Sequence, residues 1–388
     1  MASKNITISS EIYGLLKLIK NQILSKFNTL MDEAQIDEVV STSRLNGELI
    51  PYAYIFAPAG ESNQSIVKKA NLGDEIELLL DEKPVGKIYV NSSFKHKNYW
   101  NYFSIFEANA IATTPKNEKK WCLSGEIEIY NDALEKQKKD FLAIKKELNL
   151  QKVTALMLSA NPFHRVHERL IRLTIDKADF VLLFLIKSLK EDALEYELRR
   201  KTLEYFVDKF LPKDRVKIIL FSNTTLFCDH KNPELECIAA CNFGANKVII
   251  GQNHGSIGMF YDENQPQTIV DKVRANLDVE ILVMPEFVYC NECGTIVSSK
   301  TCPHGAHHHV KYNSDAIIEL LRAGILPPMI LMRKEISAII LSEIHKNRFK
   351  NLQNVYDKLF PNNGILETHT EFDFYKELAK LYQTTSLI

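Results

Sequence analysis

No stretch of this 388-residue chain is apolar for long enough to cross a bilayer. The longest purely apolar run is FVLLFLI, residues 180–186, whereas a spanning helix needs about 20 such residues. The opening stretch, MASKNITISSEIYG, lacks the apolar core of a secretion signal, so export is not expected and a cytoplasmic setting is. An excess of one charge is missing as well. Against 48 Lys and Arg stand 49 Asp and Glu, a formal net charge of −1, which excludes a global pull toward nucleic acid or an acidic membrane surface. There is no internal repeat and no low-complexity segment. What remains is an ordinary globular chain, long enough for two or three domains. Of its seven cysteines, Cys122, Cys228, Cys237 and Cys241 are scattered, and Cys290, Cys293 and Cys302 are clustered. An odd count in a reducing compartment argues against a disulfide framework and toward metal binding by the cluster.

Three regions follow from the pattern of residues. Residues 1–130 open with an amphipathic helix, IYGLLKLIKNQILSKF. They continue as a β-rich region with IELLL, KIYV, YFSIFEA and GEIEIY as short strands. The charged helix NDALEKQKKDFLAIKKELNL, residues 131–150, marks the boundary. Residues 131–285 then alternate strand-like runs (VTALMLS, FVLLFLI, VKIILFS, KVIIG) with helical ones, which predicts an α/β fold with a parallel sheet covered on both faces. Residues 286–388 combine the cysteine cluster with helices.

The cluster reads YCNECGTIVSSKTCPHGAHHHV. Cys-x2-Cys offers two thiolates to one ion, Cys302 a third, and a tetrahedral Zn²⁺ needs a fourth ligand. His304 is close to Cys302 for a comfortable chelate, so His309, or alternatively His307, is expected to complete a structural zinc site.

NPFHRVHER, residues 161–169, follows a buried strand and opens a helix, placing His164 and His167 three apart on one face. Metal, a nucleotide's phosphates and plain surface exposure are the three readings. No acidic residue is placed as a further metal ligand, since Glu168 points elsewhere. A helix N-terminus at a strand's carboxyl end suits phosphate. GQNH, residues 251–254, ends another strand in the same way, and a nucleotide is expected between the two loops.

Several segments, in order, resemble the ATP sulfurylase (sulfate adenylyltransferase) family, and its bacterial zinc-carrying branch in particular. NPFHRVHE is similar to that family's Q-x-R-N-P-x-H-R-x-H-E, and GANKVIIGQNHGSIGMFY to its G-R-D-H-A-G-x-G segment. The cysteine-rich stretch, AGILPPMILMRKEISAII and WCLSGEIEIY also have counterparts. The likeness runs over about residues 121–345. It implies a PUA-like N-terminal domain, a Rossmann-like nucleotidyltransferase domain and a zinc-containing helical C-terminal region. It implies adenylation of sulfate by ATP with release of pyrophosphate, ATP being used with magnesium in sulfate assimilation, and a homo-oligomer. By position, Asn161, His164 and His167 would be catalytic and, with Gly251 and His254, would hold the nucleotide. The departures fall on the oxyanion side. The family's Gln and Arg stand as Leu158 and Ala160, and its Arg, Asp and Ala as Gln252, Asn253 and Gly255. An Arg of a Met-Arg-Tyr segment is Leu226, and the Arg of Ser-Gly-Thr-x-x-Arg is Ile318. Sulfate is therefore expected to be a poor acceptor, with partial recovery if Ala160 and Gln252 become Arg. Arg165, Arg169, Arg199 and Lys231 are candidate substitutes. An altered acceptor, or a non-catalytic role in binding nucleotide or a protein partner, is the alternative.

Overall fold

The computed structural model describes residues 4–106, 120–252, 269–361 and 367–382. In chain order the elements are β1 (Asn5–Thr7), α1 (Ser10–Lys20), β2 (Thr29–Leu30), α2 (Glu33–Thr42), β3 (Arg44–Leu45), β4 (Glu48–Leu49), α3 (Glu61–Lys68), β5 (Glu75–Leu80), β6 (Lys83–Lys95) and β7 (Trp121–Ile129). Next come α4 (Ala133–Glu147), β8 (Val153–Leu158), α5 (Arg165–Ile175), β9 (Phe180–Ile186), α6 (Tyr196–Phe210), β10 (Val216–Phe221), α7 (Pro233–Phe243), β11 (Lys247–Gly251), α8 (Ile269–Asn276) and β12 (Glu280–Met284). The remainder is β13 (Phe287–Cys290), β14 (Thr295–Ser298), β15 (His309–Lys311), α9 (Ser314–Arg322), α10 (Lys334–Ile344), α11 (Leu352–Leu359) and α12 (Glu371–Leu381). Among the described residues, no helix is long and apolar enough to cross a membrane.

Two compact units interleave along the chain. One comprises Met1–Leu158, Leu182–Lys187 and Ile219–Met284; the other comprises Ser159–Val181, Ser188–Ile218 and Pro285–Ile388.

The first unit carries most of two five-stranded sheets, together with the two-stranded pair β3-β4. Its N-terminal sheet has the order β1-β5-β6-β7-β2, with β1 parallel to β5 and the other pairs antiparallel. The amphipathic helix is shorter than its apolar pattern: α1 stops at Lys20, where Asn21 caps it and Gln22 turns left-handed. The start of the expected strand YFSIFEA is a second correction; its last two residues, 107 and 108, lie outside the described residues. The segment begins in a 3-10 turn over Asn98–Phe103, and Ser104 makes only an isolated bridge. Asp37 accounts for the turn, accepting from Tyr99 Oη at 2.7 Å and Trp100 Nε1 at 3.1 Å and so holding those side chains out of an extended path.

The second sheet runs β10-β9-β8-β11-β12, with β11 parallel to both β8 and β12. Every residue of β8 and of β9 is buried, as continuous apolar runs require in a sheet covered on both faces. Counted from β8, the strand order is 3-2-1-4-5. The build direction reverses between β8 and β11, and the crevice at such a reversal is where ligands bind in open α/β sheets. α1 lies against the loop after β10, because a Cβ on Gly14 would collide with the carbonyl oxygen of Asn223. Glu11 accepts the Thr225 N–H at 2.8 Å and pairs with Lys187, the residue after β9, at 2.6 Å. An N-terminal helix thus reaches the carboxyl ends of two strands of this sheet.

In the second unit α10 packs against α6, α9 and α12. A three-stranded sheet, β14-β13-β15, frames the cysteine-rich turn, with Cys290 opposite both Thr295 and His309.

Candidate functional site

The loop leaving β8 is fixed from within the second unit. Asn161 is buried, and its Oδ1 accepts the Leu194 N–H at 2.8 Å. The buried guanidinium of Arg199 donates to Ser159 O at 2.5 Å and to Leu194 O at 3.0 Å. Phe163 seats its ring against Phe206, centroids 4.9 Å apart. Asn161 therefore shapes the loop through its side chain.

His164 and His167 do not share a helical face in the simple sense. His164 is the extended N-cap residue of α5, and His167 sits in the first turn. The two rings stack with centroids 3.9 Å apart, and His167 Nδ1 accepts the His164 backbone N–H at 3.1 Å. A neutral His167 ring accepting through Nδ1 carries its proton on Nε2, which makes Nε2 a donor. Burial, and after it the neighbouring His167, hold the pKa of His164 well below the ordinary histidine value. His164 is therefore neutral at physiological pH. Its Nδ1 is buried with no hydrogen-bond partner. A buried polar atom left unmatched is costly, and sites that receive a ligand are where such atoms persist.

Glu168 points away from the histidines, as expected. It is buried and accepts from Arg165 Nη1 at 3.1 Å and from Arg333 Nε and Nη2 at 3.1 and 2.8 Å. Arg165 also donates from Nε to Met329 O at 2.9 Å and from its backbone to Leu331 O at 3.0 Å. Arg333 stacks over Phe210 at 3.9 Å. Two of the candidate substitutes for the missing oxyanion donors, Arg165 and Arg199, are thus committed to protein acceptors. Arg169 and Lys231 are exposed.

Four of the oxyanion-side positions are buried: Leu158, Ala160, Leu226 and Ile318 are 5%, 0%, 1% and 1% exposed, so a charged donor there would need solvent or a ligand; Gln252 is half-buried. Ala160 is also left-handed, at φ 48°. The recovery expected from an Ala160→Arg change would need a guanidinium to be accommodated at a buried, left-handed position. The segment that replaces Ser-Gly-Thr-x-x-Arg has become an ordinary helix start, with Asn313 Oδ1 capping the N–H groups of Asp315 and Ala316 at 3.0 and 3.1 Å. Gly251 ends β11, and Gln252 donates its backbone N–H to Met284 O at 2.9 Å. His254, Asn253 and Gly255 lie outside the described residues.

At the cysteine-rich turn the fourth residue is corrected. Cys290, Cys293, Cys302 and His304 bring their ligand atoms within 4.8 Å of one another; His309 and His307 are not in this group. His304 Nδ1 lies 3.5, 3.3 and 3.6 Å from the sulfurs of Cys290, Cys293 and Cys302, and the Cys293 and Cys302 sulfurs are 3.8 Å apart. A tetrahedral ion with ordinary Zn–S and Zn–N bonds has S···S edges of about 3.8 Å and S···N edges of about 3.5 Å. The residues present fit that ion. Proximity in sequence does not exclude His304, because Nδ1 is the ring nitrogen nearer the backbone and lies close to all three sulfurs. His309 is instead the β15 partner of Cys290 in the sheet register.

Sequence inspection passed over Arg333, Lys187, Glu11 and Tyr312. Their only signal is a charged or aromatic residue at an element end, and most such positions carry no role.

Fold and site together define a protein of the open α/β class, with a histidine-bearing loop leaving one of the two strands at the sheet's reversal. Residues 132–343 match the ATP-sulfurylase family model. That is more than half of the chain, and the chain belongs to the ATP-sulfurylase family. It is 23% identical over 355 residues to the sulfate adenylyltransferase of Persephonella marina, covering 87% of this chain and 90% of that one. It is 27% identical over 236 residues to that of Carboxydothermus hydrogenoformans and 29% over 182 residues to that of Chloroflexus aurantiacus. Those two alignments span only 61% and 48% of the relatives' lengths. A solved structure, the hexameric APS kinase from Thiobacillus denitrificans, shares the fold with a TM-score of 0.64 at 16% identity, over 89% of this chain and 63% of that one.

Proposed function

We propose that the chain is a sulfate adenylyltransferase-like nucleotidyltransferase that has kept the nucleotide side of the family's site and lost the sulfate side. ATP, with magnesium, meets the loop Asn161–His167. Neutral His164 and His167 offer N–H donors to the phosphates as charge develops on them, and Asn161 holds the loop in shape. Gly251 and His254 belong to the nucleotide side by position in the family motif. The carrying observation is the contrast within one chain: a buried, unmatched His164 Nδ1 beside a stacked His167, against buried apolar side chains at Leu158, Ala160, Leu226 and Ile318.

Sulfate carries two charges and needs paired, charge-assisted donors. Without them, desolvating it costs more than the remaining contacts return. A neutral or singly charged acceptor fits better. The same buried apolar positions favour a second reading, a non-catalytic descendant that binds nucleotide or a protein partner.

We read Cys290, Cys293, Cys302 and His304 as a structural zinc site. Four protein ligands leave no open position for chemistry. By family analogy we also place the protein in the cytoplasm as a homo-oligomer, with its N-terminal region PUA-like.

Thermal protection by ATP tests the reading. ATP near its working concentration should raise Tm by several degrees, and His167→Ala should remove most of that rise while leaving the unliganded Tm within a few degrees. No protection at millimolar ATP transfers weight to the second reading.

A further inference from the structure

The imidazole of His164 has a neighbour that phosphate binding does not require. Tyr312 follows β15 directly, and its ring centroid lies 5.3 Å from that of His164, the planes tilted by 35°. His164 stacks on His167 at 3.9 Å, and His167 stacks on Phe163 at 5.5 Å. Phe163, His167, His164 and Tyr312 thus form one continuous series of rings. The phenol is fixed at its far end, donating to Ile330 O at 2.7 Å. Burial pushes its pKa up to about 12, so it stays neutral. His164 Nδ1 has no hydrogen-bond partner, and the ring makes stacking contacts with both His167 and Tyr312. Tyr312 also stands next to the NSDAII segment that departs from the family pattern, and its strand is held to β13, the strand that ends in Cys290.

We propose that Tyr312 is a positioning residue for His164: it closes the open end of the histidine stack and so selects the ring orientation that the nucleotide phosphates meet. The inference rests on the reading of His164 as a phosphate-side group. Tyr312 touches the histidine and acts through it.

The test is nuclear magnetic resonance of ¹⁵N-histidine-labelled full-length protein, with the His164 signals assigned from a His164→Gln spectrum. In the unmodified protein, Tyr312 ring protons should show cross-relaxation to the His164 ring; its absence overturns the proposal without any variant. Tyr312→Phe keeps the ring and should leave the His164 tautomer and shifts in place. Tyr312→Leu should move those shifts, mix the tautomers and weaken ATP binding by about tenfold, since small misplacements of a contacting group cost that much or more. An unchanged His164 spectrum in Tyr312→Leu overturns the proposal. If the unmodified protein binds no ATP, the nucleotide reading fails by itself, and the spectra still decide whether Tyr312 orients His164.

Discussion

Arg333 grips Glu168 with two nitrogens, at 3.1 and 2.8 Å, and so ties the first turn of α5 to the segment just before α10. The carboxylate is buried and also takes Arg165. Removing one partner of such a group strands the remaining charge. Glu168→Ala should therefore destabilise the protein by about 3 kcal/mol, and Arg333→Met by less, because Arg165 remains to pair with the carboxylate. Urea unfolding of both variants checks this. Equal, negligible losses would mean that the network contributes nothing to folding.

The metal prediction separates two histidines. Pure protein should carry about one zinc per chain, and His304→Ala should lose it with a fall in Tm of roughly 10 °C or more. His309→Ala should keep the metal. Elemental analysis of the three proteins decides, and retention of zinc by His304→Ala would return the fourth ligand to the 307–309 run.

A pH dependence follows from His164. Its folded pKa lies below the unfolded value of about 6.5, so as pH falls the unfolded chain takes up that proton first. The stability contributed by the neutral ring is complete above about pH 6.5 and is lost as pH falls below it, by at most about 1.4 kcal/mol per pH unit. Denaturant midpoints from pH 7 down to 5 should show this loss in the unmodified protein and a flatter profile in His164→Gln. Parallel profiles would place the proton uptake elsewhere.

Much of this was legible beforehand. VTALMLS and FVLLFLI had to be buried strands, and the alternation around them had to give a parallel sheet. The three cysteines were legible from spacing alone. His304 was not, because the reach of a ligand depends on which ring nitrogen faces the ion. YFSIFEA looked like a strand, but the side-chain bonds of Asp37 to Tyr99 and Trp100 hold its start in a 3-10 turn. The partners of Glu168 were hidden for a related reason. Arg333 lies far along the chain, and nothing local in its sequence context announces a contact with α5.

Isotope exchange between labelled pyrophosphate and ATP tests most directly whether the nucleotide side is kept and the oxyanion side lost. With sulfate as the acceptor, the unmodified protein should exchange at least about a hundredfold more slowly than an ordinary family member, a deficit matching the loss of a few kcal/mol of oxyanion binding. It should nevertheless be protected by ATP. Robust sulfate-dependent exchange would contradict the account and show that a cation other than the family's arginines holds the oxyanion.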